Sequence, residues 1–302
     1  MTIERGLLAG VALDALTGDP RRGHPVAAFG RAAGALERRL YADSRVRGAV
    51  FAGVCVLGAA GLGAVARRGS LPVAVATWAV LGGTSLAREG LAMGESLEAG
   101  DLEAAHARLP HLCGRDPDAL GPDELTRATV ESIAENTSDA AVAPLLWGAV
   151  LGVPGLLGYR AVNTLDAMVG HRGPRYERFG WAAARTDDVA NWVPARVTGL
   201  LTVACAPLVG GSPREAYRIL RRDGGRHPSP NAGRCEAAFA GALGVRLGGV
   251  NVYGSRVEHR PELGDGRAPE PADIRRAVRL SRAVTLAAAA LAAGAATLKG
   301  RR

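Results

Sequence analysis

Aromatic residues make up only 4% of the 302 positions, and Lys299 is the single lysine. With so few aromatics, and with the arginines dispersed, there is neither a stacking platform nor a basic stripe for nucleic acid, which is not an expected partner. The four cysteines, Cys55, Cys113, Cys205 and Cys235, form no CxxC pair. Two of them lie inside apolar runs, which argues against zinc and against a disulfide framework. No Walker A, GxGxxG or HExxH stretch occurs, so any ATP is held without a familiar P-loop. No cleavable signal peptide is expected, because the apolar stretch 6–13 is short and stops at Asp14.

What the chain has instead is Ala, Gly, Leu and Val, small residues that let helices approach closely. A mean hydropathy of +0.07 lies between a typical soluble enzyme and a transporter packed with spans. The formal charge of +8, carried almost wholly by arginine, suits anionic lipid or phosphorylated substrates.

Five apolar runs are expected to form helices, at about 48–66, 69–87, 140–159, 197–213 and 283–298. At 1.5 Å per residue each of the first two reaches roughly 28 Å, close to the ~30 Å hydrocarbon thickness, and they read as a membrane hairpin. Gly152-Val153-Pro154-Gly155 interrupts the third, which predicts a kink or two half-helices rather than one rod. Residues 88–112 read as an amphipathic helix pair outside the bilayer. Residues 214–282 read as soluble and loop-rich. The fold class expected is all-α, a multi-pass membrane protein forming one domain over 1–302. If all five runs span, basic residues divide 26 against 11, placing the N-terminal segment, 88–139 and 214–282 in the cytoplasm.

The most chemical stretch is Glu131-Ser132-Ile133-Ala134-Glu135-Asn136-Thr137-Ser138-Asp139. Four-residue steps keep Glu131, Glu135 and Asp139 on one broad helix face. Like charges at that spacing repel, and a hard, oxygen-liganded cation such as Mg²⁺ would turn repulsion into binding. The plainer alternative is a solvated acidic face. Four more polar clusters accompany it: Asp14 with Gly18-Asp19-Pro20 and His24-Pro25; Arg160, Asn163 and Asp166, followed by Gly170-His171-Arg172; Arg185, Asp187, Asp188 and Asn191, ending at Arg196; and the turn Asp223–Gly233 with His227 and Asn231. Asp187 or Asp188 with Asn191, and Asn163 with Asp166, each put two oxygen ligands within one turn. Arg160 is one turn earlier as a phosphate fork. His24, His171 and His227 read more readily as hydrogen-bonded loop residues than as metal ligands.

Five stretches in register give these clusters a common context: GDP…HPV at 18–26, VESIAENTSDAAVAPLLW at 130–147, YRAVNTLDAMVGHR at 159–172, RFGWAAARTDDVANWVPAR at 178–196 and DGGRHPSPNAG at 223–233. Together they resemble the CobD/CbiB family of cobalamin biosynthesis, adenosylcobinamide-phosphate synthase. One departure is visible: the family has an aromatic and then a proline before Glu236, where this chain has Arg234-Cys235. The resemblance implies a multi-pass inner-membrane enzyme with its site facing the cytoplasm. It further implies an ATP-dependent ligase that joins adenosylcobyric acid to aminopropanol or its O-phosphate. ATP and Mg²⁺ would be cofactors and the corrinoid a substrate. Membrane lipid is an implied partner, and other late cobalamin-pathway enzymes and an oligomer remain open.

Such chemistry needs Mg²⁺ and cations on the transferring phosphoryl, and a base for the attacking ammonium. On that basis Glu131, Glu135, Asp139, Asp187 and Asp188 are expected to hold the metal. His24, Asp19, Glu135, Asp188 and His227 are expected to be catalytic, with His24 or His227 as the base. Arg160, Asn163, Asp166, Arg185, Asn191, Arg196 and Asn231 would bind the nucleotide and substrates, and Asn136 would help to orient substrate. Two readings from other classes stay open: a Mg²⁺-dependent membrane transferase of the prenyl or phosphatidyl type, and a non-catalytic membrane scaffold or signalling component.

Overall fold

A computed structural model describes residues 3–20, 23–66, 69–171, 173–253 and 256–300. Arg21, Arg22, Arg67, Arg68, Arg172, Arg301 and Arg302, all named or counted above, lie outside the described residues. Most of the described residues are helical. In order it forms α1 (Ile3–Thr17), α2 (Pro25–Leu40), α3 (Arg45–Val65), α4 (Ser70–Val80), α5 (Gly83–Glu98) and α6 (Leu102–Arg108). There follow α7 (Pro122–Thr137), α8 (Ala143–Leu151), α9 (Val153–Leu165), α10 (Trp181–Ala190) and α11 (Trp192–Cys205). The last elements are α12 (Pro213–Asp223), α13 (Ala232–Leu243), strands β1 (Leu247–Tyr253) and β2 (Arg256–Leu263), and α14 (Pro271–Gly300). The fold is thus an all-α membrane type with one antiparallel hairpin, β1 on β2.

The helix starts are written locally. Pro25 opens α2 behind His24, whose side chain accepts from the Val26 N–H. Ser212 caps α12, with Pro213 in its first turn and Glu215 three residues after the cap. Four helical segments are long and apolar enough to cross a membrane: Arg45–Val65, Ser70–Glu98, Trp192–Val209 and Pro271–Gly300. Four of the five apolar runs map onto these segments.

The run at 140–159 does not. It is divided into α8 and α9 at Gly152, whose φ of +65° a residue with a side chain rarely adopts, and Pro154 sits in the first turn of α9. Two further expectations change. The stretch 88–98, read as lying outside the bilayer, is part of a candidate span. The region 214–282, read as loop-rich, carries α12, α13, the β-hairpin and the start of α14.

The contacts group the chain into two compact units. The first comprises Met1–Gly82, Asp139–Trp192 and Ala288–Arg302; the second comprises Gly83–Ser138 and Val193–Ala287. In the first, α4 packs chiefly on α1 and α3 chiefly on α9, rather than as an α3–α4 hairpin. On α3, Val46, Val54, Leu57, Leu62 and Val65 are exposed, an apolar face suited to lipid. The opposite face meets α9 so closely that a Cβ on Gly63 would lie 2.8 Å from the Pro154 nitrogen. Gly63→Ile is therefore expected to lower the detergent-solubilised Tm, by about 1–3 kcal/mol of overpacking. Gly53→Ile, where an added Cβ meets nothing within 4 Å, should leave it unchanged. Equal melting of the two variants would dismiss the close α3–α9 approach. In the second unit α12 and α13 pair, and the hairpin lies against α7, α12 and α13.

Candidate functional site

In the first unit, helical regularity fails at several places near polar side chains. Residues Ser138–Val142 and Asp166–Gly170 are π-helical turns, α4 stops at an extended Leu81, and α10 ends at Asn191. The Gly82 N–H donates to the Ala140 carbonyl at 3.0 Å, and the Trp147 indole N–H to the Ala190 carbonyl at 3.1 Å. π-turns often mark functional sites, and in membrane proteins broken helices are tolerated where they are buried in protein or line a cavity.

A hydrogen-bonded chain runs through these breaks. Arg160 Nη1 donates to Asn163 Oδ1 at 3.2 Å, and Asn163 Nδ2 donates to Asp139 Oδ2 at 3.2 Å. The Tyr159 hydroxyl donates to Asn191 Oδ1 at 2.8 Å, and Asn191 Nδ2 donates to Asp187 Oδ2 at 3.0 Å. Asp187 Oδ1 is buried and has no hydrogen-bond partner. Burial first, then the neighbouring Asp166 carboxylate, pushes the Asp187 carboxyl up to about 7. Asp19 and Asp139 are close enough to act on the Arg160 charge. Asp19 also faces His24 Nε2 at 3.4 Å, while His24 Nδ1 accepts from the Val26 N–H at 3.1 Å. A neutral His24 therefore carries its proton on Nε2, toward Asp19, and has no open acceptor nitrogen for a base role. Arg185 and Asp188, one turn apart on α10, pair with each other at 3.4 Å.

The second unit gathers Glu131, Glu135 and His227 with four residues to which the sequence assigns no role: Arg115, Arg127, Glu236 and Arg260. Glu131 is only 3% exposed. Its carboxylate pairs with Arg115, takes Arg127 at 3.4 Å, and accepts the Gly248 N–H at 2.7 Å. Arg127 also donates to the carbonyls of Gly248 and Val250, so Glu131 and Arg127 together hold the start of β1 against α7. Glu135 keeps contact with solvent, yet the surrounding protein raises its carboxyl above the ordinary range.

His227 Nδ1 accepts from the Ser229 N–H at 3.0 Å, and Arg260 Nη1 stands 2.9 Å from Nε2. Burial and the Arg260 charge hold this imidazole down to about 4, so it is neutral at pH 7, with its one acceptor nitrogen already taken by the Ser229 N–H. That arrangement does not suit a general base. Glu236, 2% exposed, lies 3.8 Å from His227 Nε2, and burial drives its carboxyl well above the ordinary range. Asn136 bonds back to Ser132 on its own helix, and Arg196 reaches Asn231 at 3.4 Å.

The shared acidic face expected of Glu131, Glu135 and Asp139 thus separates by partner: Glu131 goes to two arginines and Asp139 to Asn163. Among the described residues no three His, Cys, Asp or Glu side chains gather as a metal-binding set. Nothing local marks Arg115 in its Gly-Arg-Asp-Pro turn, Glu236 on α13 or Arg260 on β2; only the fold brings them to Glu131.

The fold and its polar clusters define a class: a helical membrane protein with buried, ionisable groups at breaks in its helices. The chain matches the model of the CobD/Cbib protein family over residues 7–281. It belongs to the CobD/CbiB family. It is 62% identical to "Cobalamin biosynthesis protein CobD" of Mycobacterium tuberculosis over 294 residues, covering 95% of this chain and 94% of that protein. Proteins of the same name are 46% identical in Geobacter metallireducens over 276 residues, covering 87% of each chain, and 40% identical in Rhodobacter capsulatus over 292, covering 91% and 92%. No solved structure matches it.

Proposed function

We propose that this protein is an adenosylcobinamide-phosphate synthase of the cell membrane. It would join the propionate carboxylate of adenosylcobyric acid to the amine of aminopropanol or its O-phosphate, with ATP consumed. A carboxylate is a poor acyl donor, so its oxygen attacks the γ-phosphorus of ATP, giving an acyl phosphate and ADP. The amine nitrogen then attacks the acyl carbon, phosphate leaves, and an amide remains. The single observation that supports this reading most is the orphaned Asp187 oxygen beside Asp166, in an oxygen-only set with Asn163, Asn191 and Asp139.

That donor set fits Mg²⁺, which takes one or two carboxylates and completes its octahedron with water and phosphate oxygens. Asp187 and Asp166 would hold the ion, which when bound neutralises charge on the transferring phosphoryl. Arg160, held by Asn163, would contact the phosphates as a planar cation. Tyr159 and Asn191 keep Asp187 oriented through their linked hydrogen bonds.

The test is purified protein with ATP, Mg²⁺, adenosylcobyric acid and aminopropanol phosphate. Amide product and ADP in equal amounts are expected. Product without ATP consumption would replace this reading with a transferase, and corrinoid binding without turnover would replace it with a scaffold.

A further inference from the structure

In the second unit, two candidate spans end in exposed arginines that no acidic side chain meets. On α14 the outward stripe reads Arg275, Arg279, Arg282 and Leu286, at steps of four, three and four residues, so all four share one face. Arg275 pairs with Glu98. Arg279 and Arg282 are exposed and make no hydrogen bond or ion pair with any described residue. Leu286, one turn further, is 64% exposed, and the apolar run 283–298 has begun. Within ~6 Å of helix rise the stripe changes from basic to apolar. Such a change is what a spanning helix shows where headgroups meet hydrocarbon.

The span Trp192–Val209 ends in the same way. Leu208, in its last turn, is 65% exposed. Gly210, at φ +76°, turns the chain, and a Cβ on Gly211 would strike the Ala242 carbonyl, so the turn is packed against α13. Only residues 210–212 separate the span from α12. Chain length therefore keeps the start of α12 within about 14 Å of the span's end. That is close to a headgroup layer roughly 5–8 Å deep. α12 buries Ala216, Ile219, Leu220 and Asp223, and exposes Arg214, Tyr217, Arg218 and Arg221 on the other stripe. Glu215 and Asp265 take Arg218, and Asp223 and Asp265 take Arg222. Arg214 and Arg221 meet no acid among the described residues. Arg276 ties the two span ends together, donating to the Val209 carbonyl at 2.9 Å and to the Leu243 carbonyl at 3.0 Å.

We propose that Arg214 and Arg221 on α12, with Arg279 and Arg282 on α14, form a docking surface for the headgroups of anionic phospholipids. Charge and position together select that partner. The four cations offset no carboxylate of the chain, and each pair adjoins the exposed apolar end of a span. A guanidinium takes a phosphodiester through parallel N–H donors, and its weak hydration lets it leave bulk water for the headgroup layer. Its apolar stem lies along hydrocarbon while the charged end reaches the phosphate. Tyr217, exposed between Arg214 and Arg218, is a residue type that settles at headgroup level. Outward helix faces suit a plane of many headgroups better than one soluble phosphate. In a zwitterionic lipid the headgroup cation offsets its own phosphate, so net anionic lipids are preferred.

The test is full-length protein in phosphatidylcholine vesicles carrying a trace of spin-labelled phosphatidylglycerol or spin-labelled phosphatidylcholine. Electron paramagnetic resonance reads the fraction of each label held at the protein surface. Wild-type protein is expected to hold the phosphatidylglycerol label about fivefold more strongly, a preference that falls as salt rises. The double variants Arg279→Gln/Arg282→Gln and Arg214→Gln/Arg221→Gln should each reduce that preference at least twofold, and the four changes together should abolish it. Lysine at the same four positions keeps the charge and should retain most of the preference. Because these side chains bond to no described residue, all the variants should keep the wild-type Tm in detergent. Equal association of the two labels with the wild type would overturn the inference, as would an unchanged preference in the fourfold Gln variant. So would loss of the preference on adding millimolar inorganic phosphate or ATP at constant ionic strength, which would make the surface a soluble-phosphate site.

Discussion

Asp187→Asn is expected to reduce ATP-dependent amide formation by about 10²–10³-fold, the range for removing one charged or dipolar group that stabilises a transition state. The substitution is nearly isosteric. It keeps an oxygen able to accept from Asn191 and replaces the oxygen that has no partner. The loss should fall on kcat, with KM for the corrinoid little changed, because the interaction matters most as charge moves onto the phosphoryl.

Stability should move the other way, and its sign follows from linkage. A carboxyl raised from 3.8 to about 7 in the fold costs stability as pH climbs through that window, since the unfolded chain releases the proton first. Asp187→Asn removes that cost, so its Tm gain over wild type should be larger at pH 8 than at pH 5. Mg²⁺ should raise the Tm of the wild type and not of the variant. Wild-type turnover by Asp187→Asn would remove this carboxylate from the reaction.

Glu131→Ala should have the largest effect on folding, a loss of about 3–5 kcal/mol. Arg115 is 7% exposed, and the substitution leaves its guanidinium buried without its carboxylate while freeing the Gly248 N–H from its acceptor. The expected readout is a lower Tm in detergent together with new protease cleavage near β1, which Glu131 and Arg127 hold in place. Glu131→Gln, which retains an acceptor for Gly248, should fall between. If Glu131→Ala instead melts like wild type and loses only its Mg²⁺ dependence, the carboxylate is a metal ligand after all, as its spacing in the sequence suggests.

Much of the fold is legible residue by residue. Apolar length marks 48–66 and 283–298, and the fold places them in longer helices, Arg45–Val65 and Pro271–Gly300, each with an apolar window long enough to cross a membrane. Gly152 and Pro154 divide the run at 140–159 through backbone geometry alone. The strands at 247–263 are not legible in this way. β1 begins Leu-Gly-Gly-Val, poor in the residues that favour strands, and its place depends on Glu131 and Arg127 more than a hundred positions earlier.

The polar centre divides along the same line. The run of Asp, Asn and Arg at 160–166 and 185–191 is conspicuous in the sequence because ionisable groups beside apolar helices are expensive to keep. Helical spacing can say which carboxylates share a face, but not which cation each one meets. Glu131, Glu135 and Asp139 are alike in the sequence; in the fold Glu131 is a buried ion-pair anchor, Glu135 stays exposed, and Asp139 is a partner of Asn163. By itself, then, the sequence determined the helical, membrane-spanning character of the chain and the residue types its chemistry draws on, since both follow from composition and local backbone preference. Only the tertiary structure decided the role of each charge, because a carboxylate's behaviour depends on burial and on neighbours such as Arg115 and Glu236 that no local pattern brings to it.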